Sequence, residues 1–115
     1  MSFSRGDVVL ARLNPNQGAE MGKVRPVLVL TETMLIQAGL PMVMVVPLSS
    51  QLWGELSPFR VEITARERLL KTSYLVLEQA RSIDRSRIKA DLLTRLTTEE
   101  LQKTETQFKL MLGLN

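Results

Sequence analysis

The chain has 115 residues, of which 44% are hydrophobic and 23% are charged, with a formal net charge of +3. That balance is typical of one globular domain spanning residues 1–115 and argues against a disordered chain. Because the sequence contains no cysteine and no histidine, disulfides, thiol catalysis, thiolate metal centres and histidine acid–base chemistry are excluded, and an enzyme would have to use arginine, lysine, carboxylates or hydroxyl groups.

The first half of the chain predicts three strands and one long loop. Apolar runs and alternation of apolar with polar residues indicate strands at Asp7–Leu13, Pro26–Thr31 and Met42–Leu48. Asn14–Val24 carries a proline and two glycines without periodicity. It therefore predicts a loop longer than a hairpin needs, and such loops are commonly functional. Glu32–Gly39 is either a helical turn or an irregular connection.

The middle of the chain predicts two further strands separated by irregular segments. The strands are Phe59–Ile63, which alternates clearly, and Tyr74–Ala80. The segments around them are an irregular loop, a charged connection and a turn, at Gln51–Pro58, Arg66–Thr72 and Arg81–Asp84 respectively.

One long helix is predicted near the C-terminal end. Thr97 and Glu100 have the spacing of a capping box at the start of Thr97–Leu112, and Gly113 stands where a C-cap glycine belongs. Five strands followed by one helix predict a small, strongly bent antiparallel sheet or half-open barrel. A doubly wound α/β fold is not favoured, since helices do not alternate with the strands.

The apolar segments are too short for a membrane span. The longest uninterrupted apolar run, Met42–Val46, is far below the ~20 residues that cross a bilayer. The chain does not open with a cationic segment followed by an apolar one, as a secretory signal would. We therefore expect a cytoplasmic protein that does not enter a membrane.

Positive charge is concentrated in Arg81–Lys89, where four basic residues stand against one acidic residue. This stretch is either a strip that faces the phosphates of a nucleic acid or an ordinary solvated turn. Trp53 and Phe59, near the second irregular segment, are either stacking surfaces for bases or ordinary core and interface residues.

Three polar features follow or precede predicted strands. Arg25 comes before Pro26, which favours an extended backbone and sets the guanidinium at the mouth of a strand, where it is either a phosphate ligand or a solvated arginine. The hydroxyls of Ser49 and Ser50 bind either a phosphate or turn backbone. Glu78 sits among leucines, where a carboxylate pairs with an arginine; the candidate partners are Arg25 and Arg81.

Several chemistries are not supported by the motifs present. The sequence has three aspartates and no closely spaced acid pair except Glu99-Glu100, so a two-metal nuclease site is hard to build. It also has no phosphate-binding P-loop and no dinucleotide fingerprint.

Taken in order, short segments along the chain resemble the MazF/PemK (Kid) family of toxins from bacterial type II toxin–antitoxin systems. The similarity covers about residues 4–112. The segments that carry it are Arg5-Gly6-Asp7-Val8-Val9, then Pro15, Gly18, Glu20 and Gly22-Lys23-Val24-Arg25-Pro26-Val27-Leu28-Val29, then Val46-Pro47-Leu48-Ser49-Ser50 and Glu78-Gln79-Ala80-Arg81-Ser82-Ile83-Asp84.

The resemblance implies a mainly β fold with a C-terminal α-helix, the SH3-like small barrel of the CcdB/MazF/Kid-like plasmid maintenance toxins, working as a homodimer. It also implies a metal-independent, sequence-selective endoribonuclease that needs no cofactor. Such enzymes cleave single-stranded RNA by attack of the ribose 2′-hydroxyl, leaving 2′,3′-cyclic phosphate and 5′-hydroxyl ends. Because the substrate supplies the nucleophile, this chemistry suits a chain without histidine.

The resemblance also assigns site residues. Arg25 matches the family's catalytic arginine and Ser49 the hydroxyl beside it. Glu78 matches an acidic position that is aspartate in PemK-type members, but the arginine that those members carry two residues earlier is Val76 here. The Arg25/Ser49 arrangement is therefore the better candidate for the chemistry. The implied RNA-binding residues are Asn16, Gln17, Glu20, Lys23, Ser50, Gln51, Gln79 and Arg81.

By the same likeness, RNA lies in a groove along the dimer between the loops Asn14–Lys23 and Gln51–Pro58. A cognate antitoxin lays a disordered tail in that groove and folds on binding. The alternative is a CcdB-like toxin that binds DNA gyrase without nuclease activity. That activity uses C-terminal aromatic and small residues, whereas this chain ends Met111-Leu112-Gly113-Leu114-Asn115 and retains Arg25. A third alternative is a small barrel that binds nucleic acid without cleaving it.

Overall fold

The protein is a curled antiparallel sheet with one helix before its third strand and one at its C-terminal end. The computed structural model describes residues 2–14, 17–18, 20–51 and 59–114. Its elements are β1 Asp7–Arg12, β2 Val24–Val29, α1 Thr33–Gln37, β3 Met42–Ser49, β4 Arg60–Ile63, β5 Ser73–Val76, β6 Arg81–Asp84, β7 Ile88–Arg95 and α2 Thr98–Leu112, with single 3-10 turns at Leu77–Gln79 and Arg85–Arg87.

Strand β3 organises the sheet because it pairs with three other strands. The strand order is β4-β5-β3-β2-β1-β7, and β6 pairs with β3 off this path. The first half of β3, Met42–Val45, pairs with β6, while Leu48 and Ser49 pair with β5. One strand thus serves two partners on the same edge, and the sheet curls around it into a half-barrel.

Alternation along the strands separates two apolar cores. Val27 and the residues on its side of the sheet pack with Phe3 and Ile36; we call this side the Val27 face. Leu28 and its neighbours form the other core, against which Phe108 and Met111 of α2 pack, and we call this side the Leu28 face. Residues with period two along a strand share a face, so β1, β2, β3, β5 and β7 contribute to both cores, while β4 contributes only to the Leu28 face and β6 only to the Val27 face.

The predicted fold class is confirmed, but two elements differ from expectation. Arg81–Asp84, predicted as a turn, is strand β6, and Ile88–Arg95, for which no strand was predicted, is β7. Both strands alternate poorly and carry many charges, and the pairing of β7 with β1 is interrupted by two register shifts. Their strand conformation therefore comes from pairing with β3 and β1 and not from local propensity.

Two other predictions are sharpened by the structure. The segment predicted as the strand Tyr74–Ala80 leaves the strand conformation after Val76 and forms the 3-10 turn Leu77–Gln79. The predicted helix is α2, with the capping box of Thr97 and Glu100 in place and Gly113 in the left-handed conformation at φ 71°. This capping prediction is confirmed, because it depends on residues only three positions apart.

An ion pair fastens the start of α2 to the connection after β4. Arg66 donates to both carboxylate oxygens of Glu100, at 2.8 and 2.7 Å. Burial works to raise the pKa of Glu100, but hydrogen bonds from Arg66 and Thr97 together outweigh it, so the pKa lies below its ordinary value. Hydrogen bonding to Glu100 in turn raises the pKa of Arg66.

Removing the charge of Glu100 should make stability less dependent on pH. A carboxyl whose folded pKa is lowered stabilises the fold above its unfolded pKa of about 4.3, and this stabilisation is lost as the pH falls through the folded value. Glu100→Gln, which can still cap the helix, should therefore cost about 1 kcal/mol at neutral pH and nothing in acid. Urea unfolding of Glu100→Gln and of the unmodified protein, at neutral pH and in acid, measures this difference. An equal loss of the free energy of unfolding at the two pH values would contradict the prediction.

Candidate functional site

Arg25 and Ser49 come together at neighbouring strand ends. Strands β2 and β3 pair in the register Val27↔Pro47. The same register, carried two residues further along each strand, places Arg25 opposite Ser49. Both residues line one groove of about 550 Å³. Two polar residues separated by 24 positions in sequence thus share one cavity because β2 and β3 are adjacent.

The guanidinium of Arg25 is held at one nitrogen and open at the others. Its Nε donates to the carbonyl oxygen of Gly22 at 3.0 Å, and the side chain is half-buried. Among the residues that the structure describes, neither Nη group has a hydrogen-bond partner. An arginine tied at Nε with two free NH₂ groups is oriented to bind an oxyanion through its outer edge.

Ser49 places a hydroxyl beside this arginine. The residue is buried, with 6% of its surface exposed, and its Oγ accepts a hydrogen bond from the backbone N–H of Gln51 at 3.1 Å. The hydroxyl proton remains available as a donor. The turn interaction therefore orients Ser49 without using the hydrogen-bonding capacity that an anion would need, and the next residue, Ser50, is exposed in the same groove.

The groove is lined by cations and apolar residues. Besides Arg25, the groove is lined by Lys23, a predicted RNA contact, and by Arg68 and Lys71. The last two lie in the segment predicted as a charged connection. No carboxylate is among the described lining residues. Its apolar lining residues include Leu10, Leu48 and Leu93. Such a lining attracts a polyanion that also presents apolar surfaces, as a single-stranded nucleic acid does.

Arg68 and Lys71 carry no sequence signal of their own, because basic residues in a connection are ordinarily solvated. They reach the groove since Leu69 packs into the Leu28 face and draws the segment between β4 and β5 towards β3.

Glu78 is paired, but with neither predicted partner. Both of its carboxylate oxygens accept hydrogen bonds from Arg60, each at 2.6 Å. The expected pairing with Arg25 or Arg81 is therefore wrong. Arg60 was missed because its partner depends on the pairing of β4 with β5, where Arg60 lies opposite Val76. Glu78 itself is not among the residues that line the groove.

Gln79 and Arg81 hold the loop that leads to Arg25. The side-chain oxygen of Gln79 accepts from the backbone N–H of Met21 at 3.1 Å. Arg81 donates through Nη2 to the carbonyl oxygen of Leu13 at 3.2 Å. Neither residue lines the groove. Gln79 and Arg81, both predicted as RNA contacts, thus bind the backbone at the two ends of the loop before Arg25 and not the groove.

The basic stretch Arg81–Lys89 is not an ordinary solvated turn, because its arginines bind backbone carbonyls. Arg85 donates to the carbonyl oxygen of Ile36 at 2.7 Å, and Arg87 to that of Asn14 at 2.8 Å. Together with Arg81, these arginines fasten α1 and the first loop to β6 and the turn after it. Three of the four basic side chains in this stretch therefore bind backbone carbonyls.

The other predicted RNA contacts are not among the residues that line the groove, or they lie outside the described residues. Gln17 and Glu20 close a local turn, in which the backbone N–H of Gln17 donates to Glu20 at 2.7 Å, and Gln51 is exposed at the end of β3. Asn16, Trp53 and the rest of the Gln51–Pro58 loop lie outside the described residues.

The described residues contain neither a cluster of metal ligands nor a membrane-spanning helix. No group of three acidic side chains in residues 2–14, 17–18, 20–51 and 59–114 is placed to hold a metal ion. Neither described α-helix combines the length and the hydropathy that a bilayer-spanning helix requires.

Comparison with protein families shows which family this chain belongs to. Residues 4–112 match the PemK-like, MazF-like toxins of type II toxin–antitoxin systems. The chain belongs to this family. The match covers nearly the whole chain, which confirms the resemblance seen in the ordered segments around Arg25, Ser49 and Glu78.

Solved structures of MazF toxins have the same fold. MazF from Deinococcus radiodurans is 25% identical with a TM-score of 0.83, and the alignment covers 99% of each chain. A MazE–MazF structure from that organism is 25% identical with a TM-score of 0.76 over 97% of each chain. An endoribonuclease solved with its cognate antitoxin from a mycobacterial species is 20% identical with a TM-score of 0.72, covering 97% of this chain and 94% of that one.

This PemK/MazF-type chain is therefore a toxin of a type II toxin–antitoxin system, and the SH3-like barrel predicted for it is confirmed. The CcdB-like alternative is not favoured, because both the family model and these structures are of the MazF type.

Proposed function

We propose that this toxin is a metal-independent, sequence-selective endoribonuclease that cleaves single-stranded RNA. The observation that carries the proposal is that Arg25, whose Nη groups have no hydrogen-bond partner among the described residues, shares a groove with the hydroxyl of Ser49. Four cations line this groove and, among the described residues, no carboxylate does. The similarity to a mycobacterial endoribonuclease supports it. We further propose that the toxin works as a homodimer in the cytoplasm.

In the proposed reaction the 2′-oxygen of a ribose attacks its own 3′-phosphate. A bond forms between the 2′-oxygen and phosphorus, the bond from phosphorus to the 5′-oxygen breaks, and the products are a 2′,3′-cyclic phosphate and a 5′-hydroxyl. The 2′-hydroxyl proton leaves to water in the open groove and the departing 5′-oxygen regains one. Negative charge accumulates on the phosphoryl oxygens in the pentavalent transition state, where preorganised donors are most effective.

Arg25 and Ser49 are the donors that we assign to this charge. A guanidinium does not give up its proton in proteins and is a poor proton shuttle, so Arg25 acts as an electrostatic stabiliser and Ser49 as a hydrogen-bond donor beside it. Lys23, Arg68 and Lys71 bind the neighbouring phosphates and position the strand. Glu78 supports the site, since both of its oxygens are engaged by Arg60.

The same groove is the proposed target of an antitoxin. The MazE–MazF structure from D. radiodurans and the mycobacterial endoribonuclease structure each contain an antitoxin. We propose that the cognate antitoxin of this toxin inhibits by laying a disordered tail across Arg25 and Ser49, and that the tail orders on binding. The first loop, and Gln51 with the segment after it, would then meet either RNA bases or that tail.

Cleavage in the absence of metal tests the proposal. Purified toxin should cut a mixed single-stranded RNA in excess EDTA and produce ends with 5′-hydroxyl and 2′,3′-cyclic phosphate groups. The matched substrate carries a 2′-deoxyribose at each mapped cut site and should resist cleavage there, because it lacks the nucleophile. Cutting of that substrate, or persistent inactivity on diverse RNAs, would contradict the proposal, and gyrase inhibition in a supercoiling assay would favour the CcdB-like alternative.

A further inference from the structure

Among the ion pairs of the described residues, Arg60 has the most deeply buried charged side chain. Only 1% of its side-chain surface is exposed, against 39% for its partner Glu78. Taking a guanidinium out of water is costly, and an apolar residue of similar size would fill the same space without that cost. The pair is therefore a weak source of stability.

The position of Arg60 connects it to the strand that carries Ser49. Arg60 lies opposite Val76 on β5. The register of β5 with β3, carried one residue beyond Leu48↔Leu75, places Val76 opposite Pro47, two residues before Ser49. Opposed residues and residues two apart share a face, so Arg60 and Ser49 lie on the same face of the sheet, with their strands roughly 10 Å apart.

Three hydrogen bonds, joined by two steps between neighbouring residues of the backbone, connect Arg60 to Arg25. Glu78, which Arg60 binds, stands in the 3-10 turn Leu77–Gln79. The next residue, Gln79, accepts from the backbone N–H of Met21, and the carbonyl oxygen of Gly22 accepts from Nε of Arg25. The backbone that orients Arg25 is therefore held by the turn that Arg60 fixes.

We propose that Arg60 is a positioning residue for RNA cleavage. Its buried guanidinium clamps Glu78, fixes the turn Leu77–Gln79, and through Gln79 sets the Met21–Gly22 segment that aims Arg25 at the scissile phosphate. In this arrangement Glu78 serves to hold the clamp and does not take the 2′-hydroxyl proton. The inference rests on the proposed endoribonuclease function for its kinetic readout, but its structural readout is independent of activity.

The central experiment is a double-mutant cycle with Arg60→Met, Glu78→Gln and the combination. Displacement of a catalytic group by about 1 Å costs up to about a hundredfold, so Arg60→Met should lower kcat for RNA cleavage at least about tenfold. KM should change little. Because the two residues act as one unit, the double variant should be no slower than the slower single variant. Arg60→Lys should restore part of kcat.

Arg66→Met is the matched control. It removes another two-pronged arginine–glutamate pair, the one between Arg66 and Glu100, and should lower the melting temperature while leaving kcat unchanged. An equal loss of kcat in this control would show that any lost ion pair has the effect, and would overturn the inference. Full activity of Arg60→Met would also overturn the inference. The same holds if, in the double-mutant cycle, the rate losses of Arg60→Met and Glu78→Gln multiply as independent effects.

Amide hydrogen exchange at Met21 tests the clamp without RNA. In Arg60→Met the Met21 N–H should exchange faster than in the unmodified toxin, because Gln79 no longer holds it. In Arg66→Met, exchange at Met21 should be unchanged under native conditions. If the unmodified toxin cuts no RNA, the proposed function fails, while accelerated exchange at Met21 would still support the clamp and unchanged exchange would overturn it.

Discussion

Replacing Arg25 with alanine should slow RNA cleavage by about a hundredfold or more, which corresponds to ~3 kcal/mol of lost transition-state stabilisation. The reason is that Arg25 presents two Nη groups with no hydrogen-bond partner among the described residues, next to the hydroxyl of Ser49. The phosphodiester already carries one negative charge, but the additional charge on its phosphoryl oxygens develops only as phosphorus becomes pentavalent, so most of the loss should appear in kcat. Single-turnover cleavage of a short labelled RNA measures it.

Two variants make this result specific. Arg25→Lys keeps the charge but not the fork of donors, and should recover only part of the rate. Arg12→Ala removes an exposed arginine opposite Val24, on the neighbouring strand, and should leave the rate within about twofold because surface substitutions of this kind disturb little. Cleavage by Arg25→Ala at the unmodified rate would remove Arg25 from the chemistry.

Truncating Leu48 should strongly lower the free energy of unfolding. Leu48 is 1% exposed, packs in the core of the Leu28 face and lies opposite Leu75. Leu48→Ala leaves a cavity at the point where β3 changes partner, and such changes cost about 2–5 kcal/mol. Since domains of this kind have roughly 5–15 kcal/mol in total, urea unfolding should show a clear fall in the midpoint.

Leu70→Ala is the control for this prediction. Leu70 is 85% exposed, so its truncation should change the free energy of unfolding by less than about 0.5 kcal/mol. If Leu48→Ala were equally mild, the cavity would have to close by movement of β3 or β5. Since Ser49 follows Leu48 directly, cleavage by Leu48→Ala should then fall even though the protein stays folded.

Local patterns predicted the parts of the fold that depend on neighbours in sequence. The capping box of Thr97 and Glu100 spans three residues, and the strands around Val9, Val27 and Val45 alternate or run apolar over a few positions. The ordered motifs around Arg25 and Ser49 likewise predicted the family and two residues that prove to share a groove. In these cases the information lies within a few residues along the chain.

The missed features depend on pairing between distant segments. Strand β6 is short and charged, and it is a strand because β3 offers it an edge. Arg68 and Lys71 reach the groove because Leu69 is buried.

The amino-acid sequence by itself therefore determined the fold class, the family and the presence of a guanidinium and a hydroxyl at strand ends. The tertiary structure alone decided what Glu78 binds. Its partner Arg60 is 18 positions away, and the contact exists because the register of β4 with β5 places Arg60 opposite Val76. Registers of this kind are set by the packing of whole faces, which local propensity does not encode.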